Sequence, residues 1–430
     1  MTTPAVQRAV DAAFREEWGR IVATLIRRTG DWDLAEECAQ QAFAEALRRW
    51  PRAGIPLRPG AWLTTVAGNR AIDRLRHQRM RDARLREAAA VLDDRSEDEE
   101  LAVLDEGDES GIEDDRLRLI FTCCHPALAL EGRVVLTLRA LAGLTTTEIA
   151  NAFLVPEPTM AKRLVRAKRK IQRAAIPYRV PPVHLLPERT GGVLAVLYLM
   201  FNEGYFASTG EDLIKADLCE EAIRLARLVS RLMPDEPEAG GLLALMLFQH
   251  SRRAARTTGA GEVITLEAQD RARWDRAEID RANATLEAAV RKAALGPYQL
   301  QALIAACHAN APDAAHTDWP RIAALYEQLL GITANPIVKL NHAVAVGMAN
   351  APGDGLALVD ELAASGELRN YHLLHATRAD FLRRLGRNPE AAEAYQESLN
   401  LARTDAERRY LTKRLQDVSR GPRQPETDRA

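Results

Sequence analysis

Cys123, Cys124 and His125 stand side by side, and two thiols next to an imidazole are donors suited to a soft metal or to redox chemistry. Their surroundings argue against both uses. The chain has five cysteines (Cys38, Cys123, Cys124, Cys219, Cys307), an odd number with no CxxC spacing and no second ligand pair nearby. The apolar run Leu117 to Phe121 leads directly into the trio, which therefore reads as a helix end in a core. His250, His308, His342, His372 and His375 fall at unrelated spacings, with no HExxH and no nucleophile elbow. There is no P-loop and no GxGxxG. Asn69 and Asp73 are four apart, a pair that can simply stabilise a helix. No catalytic residue, metal site or cofactor is expected.

What remains is electrostatic. The net charge of −2 conceals strong local polarity. Trp62 to Arg86 carries seven Arg against two Asp, a net of +5. Glu87 to Asp115 carries fourteen acids against Arg95, a net of −13. Pro158 to Arg173 holds seven Lys and Arg and no acid, a net of +7. One basic helix can be an ordinary solvated face. Two of them, each beside an apolar helical pattern and joined by an acidic stretch, point to nucleic acid.

The elements that must carry these charges are helical. Four hundred and thirty residues suffice for two or three domains. The chain is 47% apolar and 27% charged, with only 5% aromatics and a preponderance of helix formers. The longest apolar run, Val193 to Phe201, is far short of the ~20 residues of a membrane span. With no apolar leader at the N-terminus, a cytoplasmic protein without membrane contact is expected.

Composition breaks divide the chain into a helical module 1–86, an acidic linker 87–112, a second helical module 113–176, a proline-rich hinge 177–191, a helical extension 192–418 and a tail 419–430. In the first module Asp33 and Glu36 have capping-box spacing. A helix with Leu34, Ala35, Cys38, Ala39, Ala42, Phe43, Ala46 and Leu47 inward follows, ended by Trp50-Pro51. A nine-residue loop, Arg52 to Gly60, leads to a helix from Ala61 or Trp62, with Trp62, Leu63, Val66, Ala67, Ile72 and Leu75 on its apolar side. In the second module Gly143 ends one helix, and Thr145 with Glu148 caps a short one. After a turn at Phe153 to Glu157, Pro158 opens a basic helix to Gln172. Short helix, turn and basic helix make a helix-turn-helix, whose second helix enters the major groove.

These residues resemble a family. The first 175, about 40% of the chain, are similar to the extracytoplasmic-function sigma factors of bacterial RNA polymerase, which keep regions 2 and 4. Asp31 to Phe43 (DWDLAEECAQQAF) resembles region 2.1–2.2. Pro59 to Leu63 and Ala67 to Arg76 resemble regions 2.3–2.4, and Leu144 to Arg169 resembles region 4.2. Leu154 stands where the family usually has a turn glycine, and Pro158 precedes Thr159 where a small residue is commoner. The resemblance implies that Asp31, Glu36, Glu37, Gln40 and Gln41 meet the polymerase core (β′ and β subunits). It implies that Arg52, Trp62, Asn69, Arg70, Arg74, Arg76 and Arg79 read the −10 element of promoter DNA, with an unstacked base held in the loop Arg52 to Gly60. Thr159, Lys162, Arg163, Arg166, Lys168 and Arg169 would read the −35 element.

The extension resembles the tetratricopeptide-like tail of a subgroup of these factors. The best unit is Ala376 to Ala402, where Ala379, Leu382, Leu385, Gly386, Ala391, Tyr395 and Leu399 suit two packed helices. Weaker units run through Ala222, Ala226 and Leu232, and from Ala323 and Tyr326 to Leu340 and Ala343. Leu199 to Tyr205 (LMFNEGY) also resembles the subgroup, without a role that its residues disclose. Such repeats offer a surface to a protein partner or form a structural cap.

The expected fold is all-α: a region 2 bundle, a region 4 helix-turn-helix and a repeat-type helical domain. The expected function is that of a sigma factor, cytoplasmic and on the nucleoid when polymerase-bound, with the extension modulating it in cis. Two other readings compete with it. A one-component regulator would join the helix-turn-helix to a repeat-type sensor, and a nucleic-acid-processing enzyme lacks any acid, base, metal or nucleotide motif.

Overall fold

The computed structural model describes residues 3–90, 115–153, 155–205, 212–256, 264–291, 295–402 and 405–419. Every regular element among them is helical, and they fall into two compact units, Met1–Met200 and Phe201–Ala430.

The first unit holds α1 (Thr3–Thr29), α2 (Trp32–Ala53), α3 (Pro59–Ala90), α4 (Asp115–Cys123), α5 (Leu130–Ala140), α6 (Thr146–Ala152) and α7 (Glu157–Arg173), and α8 (Leu186–Tyr205) begins in it. The start of α2 lies two residues before the expected one. Asp31, not Asp33, is the N-cap, its carboxylate accepting from the amides of Asp33 (2.9 Å) and Leu34 (3.0 Å). Pro51 does not stop α2. It sits in the last turn, and the helix closes at Gly54, whose φ of 84° is left-handed and whose amide bonds the Trp50 carbonyl. At the other side Pro59 opens α3, where its missing N–H costs nothing. The nine-residue loop is thus a five-residue connection, 54–58, with Arg52 on α2. Among the described side chains of α3, Leu63, Ala67 and Ala71 are buried, while Ile72 is 44% exposed and belongs to the outer face.

The core of α1 and α2 is aromatic. Phe14 lies 4.9 Å from Trp18 and 5.0 Å from Phe43, ring to ring. The same α1 residues back onto the second module. Gly143, at φ 77°, has a backbone that needs glycine, and a Cβ there would lie 2.7 Å from the Phe14 ring. Tyr178 donates its hydroxyl to the Ala23 carbonyl (2.8 Å), and Arg27 pairs with Asp115 at 3.0 Å. The two modules separated on composition therefore share one core, with α1 as the common wall. The acidic stretch beyond Ala90, Leu154 and the tail from 420 lie outside the described residues.

The second unit continues with α9 (Asp212–Leu232), α10 (Pro237–His250), α11 (Arg276–Val290), α12 (Pro297–Asn310), α13 (Trp319–Ile332), α14 (Pro336–Ala349), α15 (Pro352–Ser365), α16 (His372–Arg384), α17 (Asn388–Leu401) and α18 (Asp405–Ser419). Six of these helices carry proline in their first two positions, so proline marks where layers begin rather than where they break. Short connections make neighbouring helices pack as hairpins. In the best unit read from sequence, α16 and α17, Ala379, Leu382, Ala391 and Tyr395 are buried, and Leu385 is exposed past the helix end. Phe381 of α16 fits over Gly347 and Gly355, where a Cβ would lie 2.5 Å from its ring. Ala222, Ala226 and Ala343 are likewise buried, small residues that allow close helix approach, and so is the bulkier Leu340.

Candidate nucleic-acid interface

The polar side of α2 is built by its helical period, and it faces two different neighbours. Towards α3, Arg74 grips Glu37 with both terminal nitrogens. Arg70 donates to Gln41 Oε1 (3.2 Å) and to Glu45 Oε2 (3.1 Å). Glu45 also holds Arg48 and Arg49, and is buried at the centre of this network. Arg70 and Arg74, expected on DNA, are therefore half-buried and partnered by α2 carboxylates. Arg52, Asn69, Arg76 and Arg79 are exposed, as is Gln40 on α2. Trp62 packs edge-on against Trp50 (5.6 Å, 63°), half-buried beside the 54–58 connection. Leu57 at the tip of that connection is fully exposed.

The second neighbour of α2 is the helix-turn-helix. Thr145 and Glu148 form the expected capping box, Glu148 N donating to Thr145 Oγ1 (3.1 Å) and Thr145 N to Glu148 Oε2 (2.6 Å). Ile149 and Ala150 of α6 are buried, and the side chain of Ala152 lies outside the description. Along α7 a stripe of Met160, Leu164, Ala167 and Ile171 is buried. Thr159, Lys162, Arg166, Arg169, Lys170 and Arg173 stand on the exposed face. Arg163 reaches Glu131 at 3.4 Å.

Lys168 does not join that face. Its ammonium bridges Asp33 Oδ1 (2.7 Å) and Glu36 Oε1 (2.8 Å), while Arg139 on α5 donates Nε to Glu36 Oε2 (2.8 Å). Glu36 is only 5% exposed. A residue expected on the polymerase and one expected on DNA are thus each other's partners. Asp31 is exposed but occupied as the N-cap, and Glu37 is exposed but paired. From sequence Asp33 is expected only as a helix cap, and Arg139 and Glu45 carry no expected role. Glu45 alone had a signal, as an acid falling on the apolar stripe with Ala42 and Ala46.

Cys123 and Cys124 are buried at the end of α4, as their flank suggested. Burial pushes the Cys123 thiol well up, and Cys124 up to about 11 against the lowering effect of its contact with Thr137 (3.6 Å). Such thiols stay protonated and unreactive at neutral pH. The His125 imidazole, lowered first by burial and then by Arg189 and Arg133, accepts from the Ala127 amide (3.1 Å). Among the described residues no cluster of three or more His, Cys, Asp or Glu could hold a metal ion, and no helix is long and apolar enough to cross a membrane.

Comparison with known proteins matches residues 14–81 to Sigma-70 region 2 and 118–171 to Sigma-70, region 4. Residues 189–290 match a family of unknown function, DUF6596. A Rhizobium meliloti protein, R00370, is 42% identical over 416 residues, 96% of each chain. The probable ECF RNA polymerase sigma factor SigI of Mycobacterium tuberculosis is 30% identical over 173 residues, 40% of this chain and 58% of that one. No solved structure matches significantly.

Proposed function

Because the chain belongs to the extracytoplasmic-function sigma factors of the sigma-70 family, with regions 2 and 4 ahead of a helical C-terminal extension, we propose that it directs core RNA polymerase to promoters from a closed resting state. In that state regions 2 and 4 hold one another. Region 2 meets polymerase through α2 and the −10 element through α3 and the 54–58 connection. Region 4 meets the −35 element through α7.

The observation that carries the closed state is Glu36, buried between Arg139 and Lys168. While Lys168 holds Glu36 it cannot hold a phosphate, and while Glu36 is covered it cannot meet polymerase. Size points the same way. A compact unit of 200 residues has a radius of gyration of roughly 16 Å, so it is roughly 40 Å across. Elements about 25 base pairs apart, at about 3.4 Å each, are about 85 Å apart. One packed unit does not reach both. A helix-turn-helix regulator working without polymerase has no use for region 2, so its match weighs against that reading.

Run-off transcription with purified core polymerase tests the assignment: no promoter-dependent transcript would overturn it. Charge reversal on the exposed part of α2 refines it. Glu37→Lys removes a half-exposed pair with Arg74, worth about 0–1 kcal/mol. Its circular dichroism is expected to match the parent while affinity for core polymerase falls. Unaltered affinity would exclude that face from the contact.

We also assign the extension a role in cis. Truncation is best placed after Tyr205, at the end of α8, because it leaves Val193, Leu194, Val196 and Leu197 in the first unit's core. The truncated protein is expected to bind core polymerase yet to transcribe at a changed level. Equal transcription by both proteins would make the extension a passenger.

A further inference from the structure

Three arginines in the second unit are arranged in a way that helix packing alone does not require. Arg252, Arg253 and Arg256 follow the end of α10. Arg253 is matched by carboxylates in the ordinary manner, Glu278 at 2.8 Å and Asp275 at 3.4 Å. Arg252 and Arg256 have no carboxylate partner among the described residues. Arg252 donates through Nη2 to the Tyr205 hydroxyl (2.8 Å) and to Gln249 Oε1, and its guanidinium carbon lies 5.7 Å from the centre of the Trp274 ring. Arg256 lies 3.5 Å over the Tyr205 ring and donates Nη1 to the Tyr205 carbonyl (2.5 Å).

A second guanidinium, Arg271, lies 4.8 Å from the same Trp274 ring. It is buried, and it donates Nη1 to the carbonyls of His308 (2.5 Å) and Ala311 (2.8 Å). Arg271 is therefore tied into the frame. Among the described residues Arg252 and Arg256 each spend one terminal nitrogen on the protein and keep Nε and the other Nη. Trp274 is 3% exposed, and its indole N–H has no acceptor among the described residues.

Holding like charges together in a partly buried place is unfavourable unless something repays it. Burial first, and Arg252 among the neighbouring charges, pulls both Arg256 and Arg271 below the usual arginine range. His308 is pushed down to about 4 by burial and then by Arg252 and Arg271, so at neutral pH it is uncharged and the cluster keeps three positive charges. Planar forks with free donors beside aromatic rings suit the oxygens of a carboxylate or a phosphate.

We propose that Tyr205, Arg252, Arg256 and Trp274 form a site in the C-terminal extension for the oxyanion group, carboxylate or phosphate, of a small organic ligand. Arg271 positions the Trp274 ring. The site also gives the segment Leu199 to Tyr205 a purpose, since Tyr205 bonds both free arginines. It is independent of promoter recognition, and its test does not involve polymerase.

The full chain is treated with phenylglyoxal in potassium phosphate, in sodium citrate, or in potassium chloride of equal ionic strength, and modification is read arginine by arginine by mass spectrometry. At ten times the dissociation constant, modification of Arg252 and Arg256 is expected to slow about tenfold relative to chloride, with Arg253 unaffected. Protection by phosphate alone identifies a phosphorylated ligand, protection by citrate alone a carboxylated one, and protection by both the shared chemistry. Protection no greater than in chloride, or equal protection of Arg253, overturns the site. In a companion measurement the protective anion is expected to raise the melting temperature of the parent and of Arg253→Gln, but not of Arg252→Gln. A rise retained in Arg252→Gln would overturn it as well.

Discussion

Glu36→Ala is expected to destabilise the Met1–Met200 unit by about 3–5 kcal/mol, the usual cost of removing one partner from a buried ion pair and leaving the others uncompensated. The cost arises from two cations rather than one. Arg139 and Lys168 are themselves largely covered, with 15% and 16% of their side chains exposed. Hydrogen exchange of the α5 and α7 amides in the full chain measures it. Were Glu36 only a solvated contact residue awaiting polymerase, the change would stay within about 0.5 kcal/mol. A double-mutant cycle separates the pair from the residue: Lys168→Met in the Glu36→Ala background should restore part of the loss, because the orphaned ammonium is gone. Strict additivity of the two changes would mean that the contact carries no coupling. The same loosening is expected to expose region 4 for polymerase, so Lys168→Met alone should speed engagement of the core enzyme.

Replacing Lys162, Arg166 and Arg169 together by alanine is expected to reduce duplex DNA binding on the order of several hundredfold at 0.1 M salt. These three lie on the exposed face of α7, away from Met160, Leu164, Ala167 and Ile171, so the helix should stay folded. If each touches one phosphate, the slope of log affinity against log salt should fall by about 2.7. Fluorescence anisotropy of the full chain on a labelled duplex gives both quantities, since the stripe is open even in the closed state. Arg163→Ala is the contrast, because Arg163 leans on Glu131 at 3.4 Å and is expected to lose far less. A triple variant with an unchanged salt slope would remove α7 from the DNA interface.

What the sequence by itself determined was local. The period of apolar residues along α2 and α7, the Thr145–Glu148 cap, the turn at Gly143 and the prolines that open helices all act within a few residues, where backbone sterics and capping decide the outcome. The basic segments and the match of Asp31 to Phe43 with a sigma region were legible for the same reason: they are properties of composition and short motifs. The departures from expectation are local too. Asp31 outcompetes Asp33 for the cap because its carboxylate meets two amides, and Pro51 lies in the last turn of α2 without ending it, three residues before the helix closes at Gly54.

Only the tertiary structure decided which charges are free. Glu36 and Glu37 are adjacent on one helix, yet the helical turn of about 100° aims one at α5 and α7 and the other at α3. Lys168 and Arg169 part in the same way, one into the contact with α2 and one into solvent. Arg252 and Arg253 repeat the lesson in the extension, the second matched by carboxylates and the first left with a tyrosine and an indole ring. A charge in sequence has a sign and a neighbourhood along the chain. Its partner, 132 residues away for Lys168 and Glu36, is set by which helix faces pack together, and no local pattern encodes that.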